Sequence, residues 1–170
     1  CSLCEQQYHG VVSCALGWAC WKTYVGRPET DMLRLSAMQQ LGNGLFDVGH
    51  NVDALSVQES ELSMMRRLDV SEENILTTQG NLASTYERVG RLEEAGSLRR
   101  DVYSGWLKLE GEEHGETLRE ANNYASSLNM LKRFEEAKSL LRKMMPVARR
   151  VLGEGGQITL MMRRLYASAL

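Results

Sequence analysis

The sequence predicts an all-α fold, a solenoid of stacked helical hairpins, and three observations predict it. Only two prolines, Pro28 and Pro146, occur in 170 residues, and strand-like runs of Val, Ile and Thr are few. The chain matches itself at a spacing of 41 to 42 residues. Within each matching unit, apolar residues recur at helical spacing, stop at a glycine, and then resume.

The elements follow in order. Residues 11–25 are apolar and tryptophan-bearing and read as a leading helix over about 14–25, within a Cys-rich segment 1–27. The repeats occupy 28–170, divided at about 31–70, 71–112 and 113–154, with a partial unit 155–170 begun near Gln157. Residues 82–95 align with 124–137, with 41–54 before them and with Tyr166-Ala167 after them. In the central unit Leu82, Ala83 and Tyr86 make a first helix, Gly90 ends it, and Leu92, Ala95 and Leu98 begin a second. Small residues recur in first helices (Gly42, Ala83, Ala125, Ala167) and in second helices (Ala54, Ala95, Ala137), where a short side chain lets two helices approach closely. Three departures stand out. Asn51 occupies the position of Leu92 and Phe134, Lys132 that of Gly49 and Gly90, and Pro146 falls inside a second helix, where it predicts a kink.

A small residue, an aromatic or Leu, Gly, a large apolar residue and Ala form the tetratricopeptide pattern, and Ala83, Tyr86, Gly90, Leu92 and Ala95 resemble it. The usual period is about 34 residues. The longer spacing here is similar to the repeats of kinesin light chains, which often carry Leu-Gly-x-x-His-x-x-Thr-Leu between units. Val151-Leu152-Gly153 with Thr159-Leu160, and His114 with Thr117-Leu118, resemble that linker. The resemblance covers about 31–170 and implies a right-handed superhelix that binds protein partners.

All four cysteines, Cys1, Cys4, Cys14 and Cys20, lie in the first 20 residues, with His9 nearby. Cys1 and Cys4 have the spacing of a zinc-ligand pair, but a closed site needs two further ligands. Cys14 and Cys20 fall on different turns of the leading helix and read as buried free thiols. The Cys pair, Tyr8, His9-Gly10 and a Trp-bearing helix resemble the end of a RING-CH type zinc finger. That resemblance implies Cys1 and Cys4 as its last two ligands, with zinc bound only in a longer parent protein. Ordinary cysteines on a degenerate leading repeat, and a complete site using His9, are the alternatives. The chain starts at Cys1 rather than Met and stops within an apolar pattern, so we expect a piece of a longer protein.

Charge names no partner: 20 Lys and Arg nearly balance 22 Asp and Glu, which favours neither nucleic acid nor an anionic membrane. No stretch approaches the roughly 18 apolar residues of a membrane span, and no basic-then-apolar leader is present, so the expected location is the cytoplasm. We expect no enzyme, no cofactor and no small-molecule substrate, because no nucleophile with a base, ligand set or phosphate loop stands out. Gly153-Glu154-Gly155-Gly156 lacks the Gly-Lys-Ser/Thr ending of a P-loop and fits a turn between repeats. Glu93-Glu94 and Glu135-Glu136 suit the positive ends of second helices. Arg99-Arg100, Arg149-Arg150 and Arg163-Arg164 read as solvated faces, and Met64-Met65, Met144-Met145 and Met161-Met162 chiefly as core filling.

In stacked hairpins the first helices line the concave face, so a groove is expected from their outward residues. Counting from each small residue selects Gln39, Gln40, Asn43 and Asp47, then Asn81, Ser84 and Arg88, then Asn122, Asn123, Ser126 and Asn129. Amides both donate and accept, which suits an extended peptide backbone. The kinesin light chain resemblance implies groove asparagines at Asn81 and Asn123. The expected function is an adaptor or scaffold binding a peptide or protein. The alternative is the substrate-binding arm of a RING-type ubiquitin ligase.

Overall fold

The computed structural model describes residues 9–169, so Cys1, Cys4 and Leu170 lie outside the described residues. Eight α-helices and no strand occur among them: α1 Val11–Tyr24, α2 Met32–Asp47, α3 Asn51–Arg67, α4 Glu72–Arg88, α5 Leu92–Glu110, α6 Gly115–Met130, α7 Phe134–Leu152 and α8 Gln157–Ser168. They form two compact units, the first ending at Thr78 and the second beginning at Gln79.

In unit 1 the leading helix starts at Val11, three residues before the expected Cys14, and packs closely on α2. Contact is backbone to backbone. A Cβ on Gly17 would lie 2.7 Å from the carbonyl oxygen of Gln40, and one on Gly44 would lie 2.7 Å from Cα of Cys14. Asp31 caps α2, its Oδ1 accepting from the N–H of Leu33 at 2.8 Å. Leu35, Met38, Met64 and Met65 make one buried cluster with Trp21 and Val57 packed against it; Leu41, Leu45 and Ala54 make another, against which Cys14 packs. Cys14 and Cys20 are free thiols, half-buried rather than fully buried.

Unit 2 repeats the design. Ala83, Ala95, Ala125 and Ala137 are all 0% exposed, as the small-residue rows require for close helix approach. Leu118, Leu128, Leu141, Met144 and Met162 fill the space between helices. Met161, by contrast, is exposed. Pro146 is also exposed, and α7 runs through it as one α-helix, so the backbone carbonyl that loses its partner sits on the side open to water.

The turns are as regular as the alanines. The first helix of each repeat ends with the N–H of His50, Arg91 or Arg133 donating to Leu45, Tyr86 or Leu128, respectively. The residue before each donor has positive φ: 82° at Gly49, 83° at Gly90 and 60° at Lys132. Glycine enters this region without strain, while a lysine does not. Second helices end similarly, at Asp69 (51°), Gly111 (83°) and Gly153 (79°).

Candidate functional site

The first helices of unit 2 carry most of the selected amides. On α4, Asn81 and Arg88 are exposed, and Ser84 is half-buried. The Ser84 hydroxyl is already engaged, donating to the carbonyl of Gly80 at 3.3 Å and accepting from Arg99 Nη2 at 2.6 Å. On α6, Asn123 donates Nδ2 to Glu120 Oε1 at 3.0 Å. Asn129 donates to the Leu165 carbonyl at 3.3 Å and to Ser168 Oγ at 3.2 Å. Asn122 is only 4% exposed, and its Oδ1, like that of Asn129, has no hydrogen-bond partner.

Asn122 and Ser126 come together at an open recess of ≈ 510 Å³, where α8 supplies Met161, Arg164 and Leu165. In unit 1, Gln40 and Asp47 of α2 are exposed, while Gln39 and Asn43 are half-buried.

Beneath the α4 and α6 faces lies a charged network that the sequence reading missed. Arg99 is not on a solvated face: its side chain is 6% exposed. It follows Ala95 by one helical turn, so it points inward with Ala95, Val102 and Trp106, while Arg100 faces water. Its Nε donates to Glu87 Oε1 and its Nη1 to Glu120 Oε2, each at 3.3 Å. Ser127 also donates to Glu87. Burial raises the Glu120 pKa above its ordinary value, opposed by the positive charge of Arg99 and by the hydrogen bonds from Asn123 and Arg99. The network joins α4, α5 and α6 and includes hydrogen bonds to Ser84 and Asn123.

Glu93, Glu94, Glu135 and Glu136 lie exposed in the first turns of α5 and α7. Glu94 and Glu136 pair with Arg91 and Arg133. His114 stacks on Trp106 with ring centroids 6.0 Å apart. Among the described residues, no three His, Cys, Asp or Glu side chains gather as metal ligands, and no helix is long and apolar enough to cross a membrane.

The paired helices, buried alanines and recurrent turns meet their counterpart in a family model for the tetratricopeptide repeat that matches residues 74–150. Residues 74–150 belong to the tetratricopeptide repeat family. Solved structures extend the likeness of fold. The nearly identical TPR-like repeats of a Podosopora anserina protein assigned as a kinesin light chain align with a TM-score of 0.78 at 20% identity, covering 91% of this chain and 74% of that one. A variant of the same repeats gives 0.76 at 22% identity, covering 91% and 72%. BtubC (BKLC) from P. vanneervenii gives 0.73 at 18% identity, covering 94% and 66%. No curated protein matches the chain. The fold is thus all-α here and similar to the TPR-like repeats of those structures, and tetratricopeptide repeats generally serve as non-catalytic scaffolds for protein interaction.

Proposed function

We propose that this chain is an adaptor or scaffold that seats an extended peptide or protein segment on the first-helix face of unit 2. The observation that carries the reading is the open recess where Asn122 and Ser126 of α6 adjoin the apolar Met161 and Leu165 of α8. A peptide backbone needs donors and acceptors, and its side chains need apolar seats. Asn81 is exposed on the same helix series, and Asn123 has its Nδ2 turned to Glu120, so its Oδ1 is available to a partner N–H. In unit 1, Gln39, Gln40, Asn43 and Asp47 would serve the same role on α2. The proposal includes a cytoplasmic setting and excludes catalysis, nucleic acid and membrane binding. A ubiquitin-ligase arm draws no support from the family match or the solved structures.

The test uses a partner captured from cell extract, identified, and then titrated as a pure segment. Asn81→Ala with Asn123→Ala should weaken binding by roughly five- to a hundred-fold, the loss of about 0.5 to 1.5 kcal/mol per hydrogen bond. Glu94→Ala with Glu136→Ala, on the second helices, should leave it nearly unchanged. If the glutamate pair abolished binding and the asparagine pair did not, the site would lie on the second helices.

A further inference from the structure

We propose that the recess between α7 and α8 is a docking seat for an acidic amphipathic helix of another polypeptide, on a surface separate from the first-helix amides. The recess measures ≈ 440 Å³ and is open to solvent. α7 lines it with Arg142, Met145, Pro146 and Arg149, and α8 with Arg163 and Tyr166. The spacing puts the α7 residues on one stripe, at i, i+3, i+4 and i+7, and the α8 pair at i and i+3.

The repeat shows what shape such a seat takes. One repeat earlier, at the same register, stand Tyr103 and Leu107 of α5 and Ala121 and Tyr124 of α6. There a helix fills the seat: the Tyr103 hydroxyl donates to Met144 Sδ of α7 at 3.5 Å, and Leu140 and Met144 of α7 pack into the same apolar cluster. Tyr103 is left 8% exposed and Ala121 0%. The corresponding Met145 and Tyr166 are only half-buried, and the side chains of Arg149 and Arg163 are 56% and 58% exposed.

Charge selects the occupant. Arg149 stands where Leu107 does and Arg163 where Ala121 does, so an apolar seat has become cationic. The recess is lined by three arginines and no carboxylate. One carboxylate reaches it from the loop before α8: Glu154 accepts from Arg149 Nε at 2.7 Å through Oε1 and from Arg163 Nη1 at 3.2 Å through Oε2. Two guanidinium groups thus already clamp a carboxylate, and three cations against one anion favour more. Glu135, which also feels the charge of Arg142, is paired with Lys138. Arg142 packs over the Tyr166 ring, 5.7 Å from its centroid, so an incoming helix meets Tyr166, Met145 and Pro146 as apolar surface beside the charges. A seat permanently filled from within its own chain is apolar, as Leu107 and Ala121 are. Hydrated arginines instead suit a face that is alternately free and occupied by a partner.

Isothermal titration of the unaltered chain with a synthetic amphipathic helix of about 15 residues, Leu and Glu on one face, tests this. One saturable site per chain is expected, with no binding of the counterpart carrying Lys in place of Glu. Arg149→Gln with Arg163→Gln should weaken binding roughly ten-fold or more. Glu154→Gln, which removes the competing carboxylate, should tighten it roughly two- to five-fold. Arg164→Gln, beside Asn122 in the first-helix recess, should leave it unchanged. All four of these residues are exposed, so circular dichroism should match the wild type. Equal affinity for the Lys peptide, wild-type binding by folded Arg149→Gln with Arg163→Gln, or loss of binding with Arg164→Gln would each overturn the proposal. So would a dimer of the chain alone that the same two glutamines dissociate, which would assign the seat to a second copy.

Discussion

Replacing Glu61 by Gln should remove a pH dependence from the stability of this protein. Glu61 lies on α3, is 3% exposed, and occupies the repeat position filled by Val102 and Met144, both 0% exposed. Its hydrogen bond is weak: Thr78 Oγ1 donates to Oε1 at 3.5 Å, the outer limit for such a contact. Burial pushes its pKa from 4.5 up to about 7, against the smaller opposing effect of Thr78. A carboxyl whose pKa is raised on folding binds its proton more tightly in the native state, so stability is greatest below the unfolded value. It then falls as pH rises through the window from about 4.5 to about 7. At 1.36 kcal/mol per pKa unit, ionising Glu61 costs about 3 kcal/mol, most of it between about pH 5 and pH 8. Urea unfolding of the wild type and Glu61→Gln at those two pH values measures it. The variant's advantage at the higher pH should exceed that at the lower by about 2 to 3 kcal/mol. Glu120 has a raised pKa as well, but it is present in both proteins and cancels in the difference. Parallel pH profiles would refute the reasoning and show that the Glu61 carboxylate reaches water.

Two further perturbations follow from buried or strained residues. Lys132→Gly should raise the unfolding free energy by about 1 kcal/mol, because the positive φ of 60° disfavours a residue with a Cβ; thermal unfolding checks it, and a lowered Tm would contradict it. Arg99→Leu alone should cost about 3 to 5 kcal/mol, since it strands Glu87 and Glu120 without their cation. Adding Glu87→Asn and Glu120→Met, which copies the next repeat's Leu141, Asn129 and Met162, should recover most of that loss in urea unfolding.

The hairpin period was legible because its cause is local: every repeat must bring two helices together at a small residue, and Ala54, Ala95 and Ala137 record this at 0% exposure. Turn positions were legible where glycine marks them. Lys132 and Asp69 hold the same left-handed backbone without glycine, so only the repeat register locates them. The close approaches of Gly17 to Gln40 and of Gly44 to Cys14 were not foreseen, since they depend on the crossing of α1 and α2 and follow no repeat spacing. Arg99 was misread because an Arg-Arg pair looks solvated, although its i+4 relation to Ala95 pointed inward. Register also chose which amides share the first-helix face. It could not tell that Asn129 and Ser84 spend their hydrogen bonds inside the protein, because those bonds require α8 and α5 in place.

The position occupied by Gln58, Arg99 and Leu141 changes from neutral amide to cation to hydrocarbon in three successive repeats, and all three are buried. Repeats with a common backbone could in principle be exchanged like bricks, but these are keyed like locks. The 92–110 helix moved one repeat onward would put a guanidinium beside Met162, and the 134–152 helix moved one repeat back would leave two carboxylates facing leucine. Duplicating a single hairpin therefore lengthens such an array only if the neighbouring helices change with it, which makes pairs of adjacent repeats, rather than single ones, the natural unit of inheritance.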